Sequence, residues 1–497
     1  MDTEQLKQDV RDGRIDLERL VDLIGMLQRQ LDRANKRIDE LEAKLGGSPT
    51  EKVDQPFSMN SEEKRQADRG KTKRKQNKPF RRNRMTKADK IDLAIRTEQV
   101  FPNDVLPELC VLSHTRPVWR LEGGQAVIVA YEIYRGPNSQ YGKIDGVPGR
   151  SEFGMEIVLS LAYLVHVTRI SFDKSCQLLK FFQNLTLKKS QADALLNQLS
   201  KAWEGEFNVL CTLLANSAVV HADETSWSIN SVWAFLSEKA RLLFFGVHKD
   251  AATLEAILDP RTFQGIVVSD DAAVYGNFSQ SQKCWAHLLR KAIKLTLLEP
   301  SNPDYRQFTD RLLEIYRAAC RVQRDQRFND EGRKRKVAEL DDQVVELCGG
   351  VWSADLPPLE GPDDDLRLLC NELMRLMLDR QLFVFVTAAD ITFPNGKTQP
   401  VGGTNNEAER TLRGPAEARK TGRTNKTPRG ARRQTIVVSV LESLRLTVPN
   451  FTLPNLIEEI RKWGRTGKSC FALMLAKMKL KPLSVSPLDV LLPVPGG

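Results

Sequence analysis

From Leu17 onward, apolar residues recur as Leu17, Leu20, Ile24, Leu27, Leu31, Ala34, Ile38, Leu41 and Leu45, with charged residues between them. Alternating steps of three and four make this a heptad seam. The stripe is narrow and stops at Gly46-Gly47-Ser48-Pro49, so it predicts a self-associating coiled coil rather than a helix packed on its own domain. Farther along, "VWRLEGG" and "QAVIVAYEIYRG" alternate as strands separated by turns. Residues 152–205 carry a helical period, and "SFDKSCQLLKFFQNLTLKKSQADALLNQLSKAW" has the short-helix, turn, longer-helix order that a helix-turn-helix shares with any helical hairpin. The period then changes. "SAVVHADETSWSI", "SVWAFLSEK" and "RLLFFGVHK" predict three strands in meander order, "DAATLEAILD" a helix and "QGIVVSDDAAVYG" a further strand, which is an α/β pattern. Residues 300 to about 380 are helical and highly charged, with an acidic loop at "DLPPLEGPDDD", and read as an insertion.

Composition narrows the class. At 497 residues the chain is too long for one core and calls for several modules. A net charge of +10 and a pI near 9.1 favour anionic partners, nucleic acid first. Between the heptads and the first strands, "KRQADRGKTKRKQNKPFRRNRMTK" is nearly free of apolar residues and cannot form a core. Its Lys73, Arg74, Lys75, Arg81 and Arg82 suit phosphate contacts made with release of counterions, as well as service as a solvated linker. The eight cysteines include no CxxC pair, which argues for a reducing, cytoplasmic setting and against a disulfide framework. Cys110 with His114 offers two ligands, too few for a zinc site. The longest apolar run, Ile157 to Val167, falls short of the ~20 residues that cross a bilayer, so no membrane role is expected.

The chemistry begins with a charge in the wrong place. Asp223 interrupts the apolar strand of "VVHADETSW", and Asp270 follows Ile266-Val267-Val268 directly after Ser269. A buried carboxylate costs several kcal/mol unless it is paired. If the two strands are neighbours, the carboxylates converge on a hard cation such as magnesium or manganese. A third acid arrives in "GGTNNEAERTLR", where Asn405 or Asn406 is the expected N-cap of a helix carrying Glu407 and Glu409. With Ala408 and Leu412 as the packed face, Glu409 sits about 80° and Glu407 about 120° from its middle, so Glu409 is nearer the buried boundary. Downstream, Arg413, Arg419, Lys420, Arg423 and Arg432 belong to a cationic stretch broken only by Glu417, fit for a polyanion. Spacing alone proves little, because 64 acidic residues allow many such triples and a solvated helix explains a lone glutamate. Two motifs are set aside. "GRTGKS" at 464–469 lacks the spacing and preceding strand of a phosphate loop, and His166 in an apolar helix reads as a satisfied core histidine.

"HADET", "VVSDDAAVYGN…QKCWAHLLRK" and "TNNEAERTLR" occur in the order of the three acidic blocks of the DDE transposases, and the chain resembles their IS66-type branch from about Gly146 to about Pro449. The resemblance implies a multidomain α/β protein with a ribonuclease H-like catalytic domain interrupted by a helical insertion and preceded by a coiled coil and basic linker. It implies Asp223, Asp270 and Glu409 as ligands of two Mg²⁺ or Mn²⁺ ions. The expected divisions are a coiled coil over 1–48, a basic linker over 49–88, a small β-rich and candidate DNA-binding domain over 89–148 and a helical segment over 149–212. The catalytic domain is expected over 213–299 and 400–449, around an insertion at 300–399, with a helical C-terminal region over 450–497. Cys284 and His287 of "CWAH" match a family block and read as structural. The family's cysteine-rich zinc-binding segment is reduced here to Cys110 and His114.

The expected activity is metal-dependent cleavage of transposon ends and strand transfer to a target. Double-stranded DNA, a second copy of the chain and accessory proteins of the same element are the expected partners, in a bacterial cytoplasm at the nucleoid. The alternatives are a structure-selective nuclease of the same fold, and a non-catalytic DNA-binding protein that would tolerate loss of all three acids.

Overall fold

The computed structural model describes residues 85–349, 361–483 and 485–493. The heptads of 1–48 and the five basic residues from Lys73 to Arg82 lie outside them. A short helix α1 (Lys87–Asp92), closed by a capping box between Thr86 and Asp89, leads into strands β1 (Arg96–Val100), β2 (Val111–Glu122) and β3 (Gln125–Arg135). β2 and β3 form a two-residue hairpin, since Glu122 pairs with Gln125 and Gly123 and Gly124 take φ of +54° and +81°. Only glycine adopts two successive positive φ values without steric cost. β1 adds to β3 in parallel, giving the order β1-β3-β2 around a small core of Val118, Val129, Tyr131, Ile133 and Ile144.

Three helices follow: α2 (Met155–Ala162), which runs on into a π-helical turn at Tyr163–Val167, α3 (Phe172–Gln183) and α4 (Lys189–Ala215). α4 buries Ala192, Leu195, Leu196, Leu199, Trp203, Phe207 and Leu210, at helical spacing, so it backs a core along its length. His166 is buried in the π-helical turn, and burial holds it near pKa 3 and therefore neutral, but its Nε2 has no hydrogen-bond partner. It is a core histidine that is not satisfied.

Beyond α4 lies a five-stranded sheet built from β4 (Val219–Ser226), β5 (Ser231–Leu236), β6 (Arg241–Val247), β7 (Ile266–Ser269) and β8 (Ser281–Lys283). The helix α5 (Ala251–Ile257) crosses between β6 and β7. The spatial order is β6-β5-β4-β7-β8, with β4, β5 and β6 antiparallel and β4, β7 and β8 parallel. β4 is central, which explains its apolar start.

The chain leaves the sheet through α6 (Trp285–Leu298) into α7 (Pro303–Arg324), α8 (Asp330–Cys348) and α9 (Pro362–Leu378). Their facing sides share one core, including Phe308, Leu312, Ile315, Leu340, Val344, Leu369 and Leu373, and Trp285 joins that core to Val219, Ile266 and Val268 of the sheet. The return runs through the short α10 (Val384–Thr387) and a two-residue hairpin pair, β9 (Ile391–Thr392) and β10 (Thr398–Gln399). Two buried glutamines fasten it. Gln282 Nε2 donates to Leu382 O at 2.9 Å while its Oε1 accepts from Phe385 N at 3.0 Å, and Gln323 Nε2 donates to Phe385 O and Val401 O, each at 2.7 Å.

Four more helices complete the described chain before a final short one: α11 (Asn406–Lys420), α12 (Pro428–Thr447), α13 (Leu453–Thr466) and α14 (Cys470–Lys477), then α15 (Pro487–Leu491). α12 lies along the sheet edge at β6. Thr435, Ser439 and Ser443, one helical turn apart, accept from the backbone N–H groups of Phe245, Leu243 and Arg241 at 3.0, 3.0 and 2.9 Å. Ser439 and Ser443 also donate to the carbonyls of Leu243 and Arg241, at 3.4 and 3.1 Å. The hydroxyls therefore stand in for a sixth strand and close an edge that would otherwise pair with another chain. The "GRTGKS" stretch is the corner between α13 and α14, where Gly467 at φ +68° ends one helix and Ser469 caps the next.

Candidate active site

The two strand-borne aspartates meet through strand register. β4 and β7 pair in parallel with Val219 opposite Ile266, Val220 opposite Val267 and His221 opposite Val268. Two residues farther along each strand direction stand Asp223 and Asp270, so the pairing sets both acids at the same level of the sheet. Burial, followed by the charges of Glu224, Asp270 and Glu409, pushes Asp223 up to about 7, while a bond from Glu224 N to its Oδ1 at 2.9 Å pulls the other way. Asp270 Oδ1 accepts from Ala272 N at 3.1 Å, which turns the chain away from the strand end.

Glu409 comes from the first turn of α11. The helix is anchored ahead of it by Asn405, fully buried, whose Nδ2 donates to Ala222 O at 2.7 Å and whose N–H points at Cys284 Sγ at 3.1 Å. The expectation of a side-chain cap is corrected here: Asn405 is the N-cap residue but makes no capping bond, its Nδ2 being turned to the strand beside Asp223 and its Oδ1 left buried without a hydrogen-bond partner. Ala408 and Leu412 are buried. Glu407 turns away and pairs with Arg241 of β6, whereas Glu409 faces α6, with Arg290 Nη2 at 2.5 Å and His287 Nδ1 at 3.6 Å from its Oε1.

Around the acids the sheet carries groups that composition and spacing did not single out. Glu224 has only 2% of its side chain exposed, although it neighbours Asp223; Lys249 Nζ pairs with it at 2.7 Å and Tyr275 Oη donates to it. Its own bond to Glu224 raises the Lys249 ammonium, and burial with the Glu224 charge keeps the Tyr275 phenol protonated well above its ordinary range. Lys283, buried at the end of β8, donates to Asp270 O at 3.2 Å, and burial lowers its ammonium from the usual lysine range. The signals were present in "SQKCWAHLLRK", where Lys283, His287 and Arg290 precede or follow Trp285 at offsets that a helix start brings together, but several lysines and arginines share that stretch. Beside Asp270 a cleft of about 550 Å³ is lined by Lys283, Cys284, His287, Lys291 and Arg375, the last paired with Asp271.

The cationic stretch after Glu409 divides. Arg413, Lys420 and Arg423 are exposed, and Arg419, half-buried, donates to Ser226 O at 2.8 Å at the far end of β4. Arg432 departs from the expected phosphate contact: it is bound by Glu204 and by Asp489, at 2.7 Å for the latter, and only 13% of its side chain is exposed. Its charge is already spent inside the protein.

Residues 150–433 match the profile of the Transposase IS66 family. The chain belongs to the IS66 transposase family. The matched region runs from before α2 into the start of α12 and includes β4 to β8, the helical insertion and Glu409; the β1-β3-β2 sheet and α13 to α15 lie outside it. No curated protein matches this IS66 family chain. None of its described helices is long and apolar enough to cross a membrane.

Proposed function

We propose that this IS66 family member is a DNA transposase that binds the ends of its insertion sequence and catalyses divalent-metal-dependent cleavage and strand transfer, with Asp223, Asp270 and Glu409 as the acid set. The strand order β6-β5-β4-β7-β8, antiparallel on one side of β4 and parallel on the other, supports reading the sheet as ribonuclease H-like. The observation that carries the proposal is the β4–β7 register, which brings two aspartates from distant sequence to one level of a sheet, within electrostatic reach of Glu409.

The donor set fits Mg²⁺ or Mn²⁺. Asp223 and Asp270 offer hard carboxylate oxygens, and the burial and neighbouring like charges that hold Asp223 near 7 are what a cation would offset. Glu409, which in the described structure groups with Cys284 and His287, would join them by exchanging or sharing its contact with Arg290. When bound, such ions supply Lewis-acid stabilisation of the phosphate and of the attacking and leaving oxygens. The protein's own residues do the rest. Asp223 and Asp270 are fixed by the sheet, Asn405 ties the Glu409 helix to β4, and Lys283 brings a positive charge to the Asp270 end. Exposed Arg413, Lys420 and Arg423 suit phosphates flanking the reacting one.

The test uses a labelled duplex carrying the element's terminal inverted repeat, incubated with the purified chain and Mg²⁺. A free 3′ hydroxyl at the repeat boundary and its joining to a second duplex are expected. Cleavage without joining would favour a nuclease, and binding without cleavage would favour a non-catalytic DNA-binding protein.

A further inference from the structure

Cys284 and His287 begin α6 as its N-cap and third residue, so both side chains leave the same first turn. Cys284 Sγ accepts the Asn405 N–H at 3.1 Å, with the amides of Ala286 and His287 also directed at it. Burial raises the Cys284 thiol and these amides oppose that rise, so the unliganded sulfur is a thiol with the outer amide donors that a metal-bound cysteine uses. His287 Nδ1 is buried and has no hydrogen-bond partner. Across from both stands Glu409, and one ligand atom from each of Cys284, His287 and Glu409 lies within 4.8 Å of the other two. Among the described residues this is the one such trio of cysteine, histidine and acidic side chains.

The spacing is close to what a small cation needs. Ligand atoms at about 2.0 to 2.3 Å from a tetrahedral zinc stand roughly 3.3 to 3.8 Å apart. His287 Nδ1 and Glu409 Oε1, at 3.6 Å, are already in that range, and no pair has to close by more than about 1 Å. One sulfur, one imidazole nitrogen and one carboxylate make a borderline-soft set that prefers zinc to magnesium, and three protein ligands leave a fourth position for water. The adjoining cleft, lined by Cys284 and His287, gives an ion a way in.

We propose that Cys284, His287 and Glu409 form a zinc site that shares Glu409 with the acid set, so that zinc occupancy restrains the magnesium-dependent reaction. Zinc binding itself needs only the three side chains; the restraint rests on the reading of Glu409 given above. Bound zinc would hold Glu409 at α6, where it already lies, and would leave Asp223 with Asp270 without their third acid.

Cobalt(II) is the spectroscopic probe, added to the metal-free full-length chain. Wild type is expected to show a near-ultraviolet sulfur-to-cobalt charge-transfer band with the visible bands of a tetrahedral ion, displaced by equimolar zinc. Cys284→Ser should abolish the charge-transfer band, His287→Gln should weaken binding by more than about tenfold, and Asp223→Asn should leave the band in place. A band that survives Cys284→Ser would belong to another of the eight cysteines and overturn the site; so would the absence of any band in wild type. If Cys284→Ser does not fold, His287→Gln carries the same decision, since unchanged cobalt affinity there excludes the site. In cleavage assays at fixed excess Mg²⁺, zinc should inhibit wild type and inhibit His287→Gln at least about tenfold less. Cleavage that depends on Asp223 without any cobalt band would sink the zinc site alone. A cobalt band in a chain whose cleavage ignores all three acids would sink the acid set and leave the zinc site standing.

Discussion

Glu407 and Glu409 are two residues apart and have opposite surroundings. Glu407 is engaged by Arg241 on the sheet edge, while Glu409 adds its charge to Asp223 and meets Arg290 and His287. Glu409→Gln is therefore expected to abolish Mg²⁺-dependent cleavage, and Glu407→Gln to leave most of it, as read by product formation from end-bearing DNA. The reverse ranking would transfer the third acid to Glu407. Asp223 makes a second prediction, on stability. Its carboxyl is raised to about 7 in the folded protein, against an ordinary aspartate value of 3.8. Below both values the group is protonated in either state and costs nothing; as pH rises from about 4 through about 7 the unfolded chain ionises first, and stability is lost. The metal-free protein should melt at lower temperature at pH 8 than at pH 5.5 from this group, and Asp223→Asn should flatten that dependence. Mn²⁺ or Mg²⁺ should raise the melting temperature more at pH 8 than at pH 5.5, and an equal rise at both would argue against a carboxylate cation site.

At the scale of elements, the edge of β6 carries the clearest stability prediction. Ser439 sits between Thr435 and Ser443 on α12, fully buried, and satisfies both the N–H and the carbonyl of Leu243. Ser439→Ala leaves those buried backbone groups unpaired and should cost about 1 to 3 kcal/mol, measured by denaturant unfolding; Ser439→Thr, which keeps the hydroxyl, should cost less. A neutral Ser439→Ala would mean that water replaces the hydroxyl. This device was not legible in the sequence, because "QTIVVSVLES" reads as an apolar helix with incidental hydroxyls and their spacing of four acquires meaning only beside an edge strand. The sheet itself was legible: apolar runs ending in Asp223 and Asp270 are what paired central strands require, and the Ala408–Leu412 stripe oriented the glutamate helix. Arg432 was not, since charge density along a chain cannot tell a phosphate-facing arginine from one held by Glu204 and Asp489, more than fifty residues away on either side.

For the whole molecule, two predictions fall on segments outside the described residues. If the seam from Leu17 to Leu45 joins subunits, a chain lacking residues 1–48 should lose mass by light scattering relative to the full chain; an unchanged mass would make the seam intramolecular or redundant. If Lys73, Arg74, Lys75, Arg81 and Arg82 meet DNA, neutralising them should flatten log K against log salt by about 0.9 for each lost phosphate contact, whereas neutralising Arg432 should leave that slope alone and lower stability instead. The proposed catalysis stands on the acid set. Asp223→Asn and Asp270→Asn are the variants to purify, with cleavage of duplexes bearing the terminal repeat and affinity for the same duplexes measured on the same preparations. Mg²⁺-dependent cleavage is expected to be lost in both while DNA affinity stays near wild type, because binding depends on cations elsewhere. Substantial cleavage by either variant would contradict the acid set.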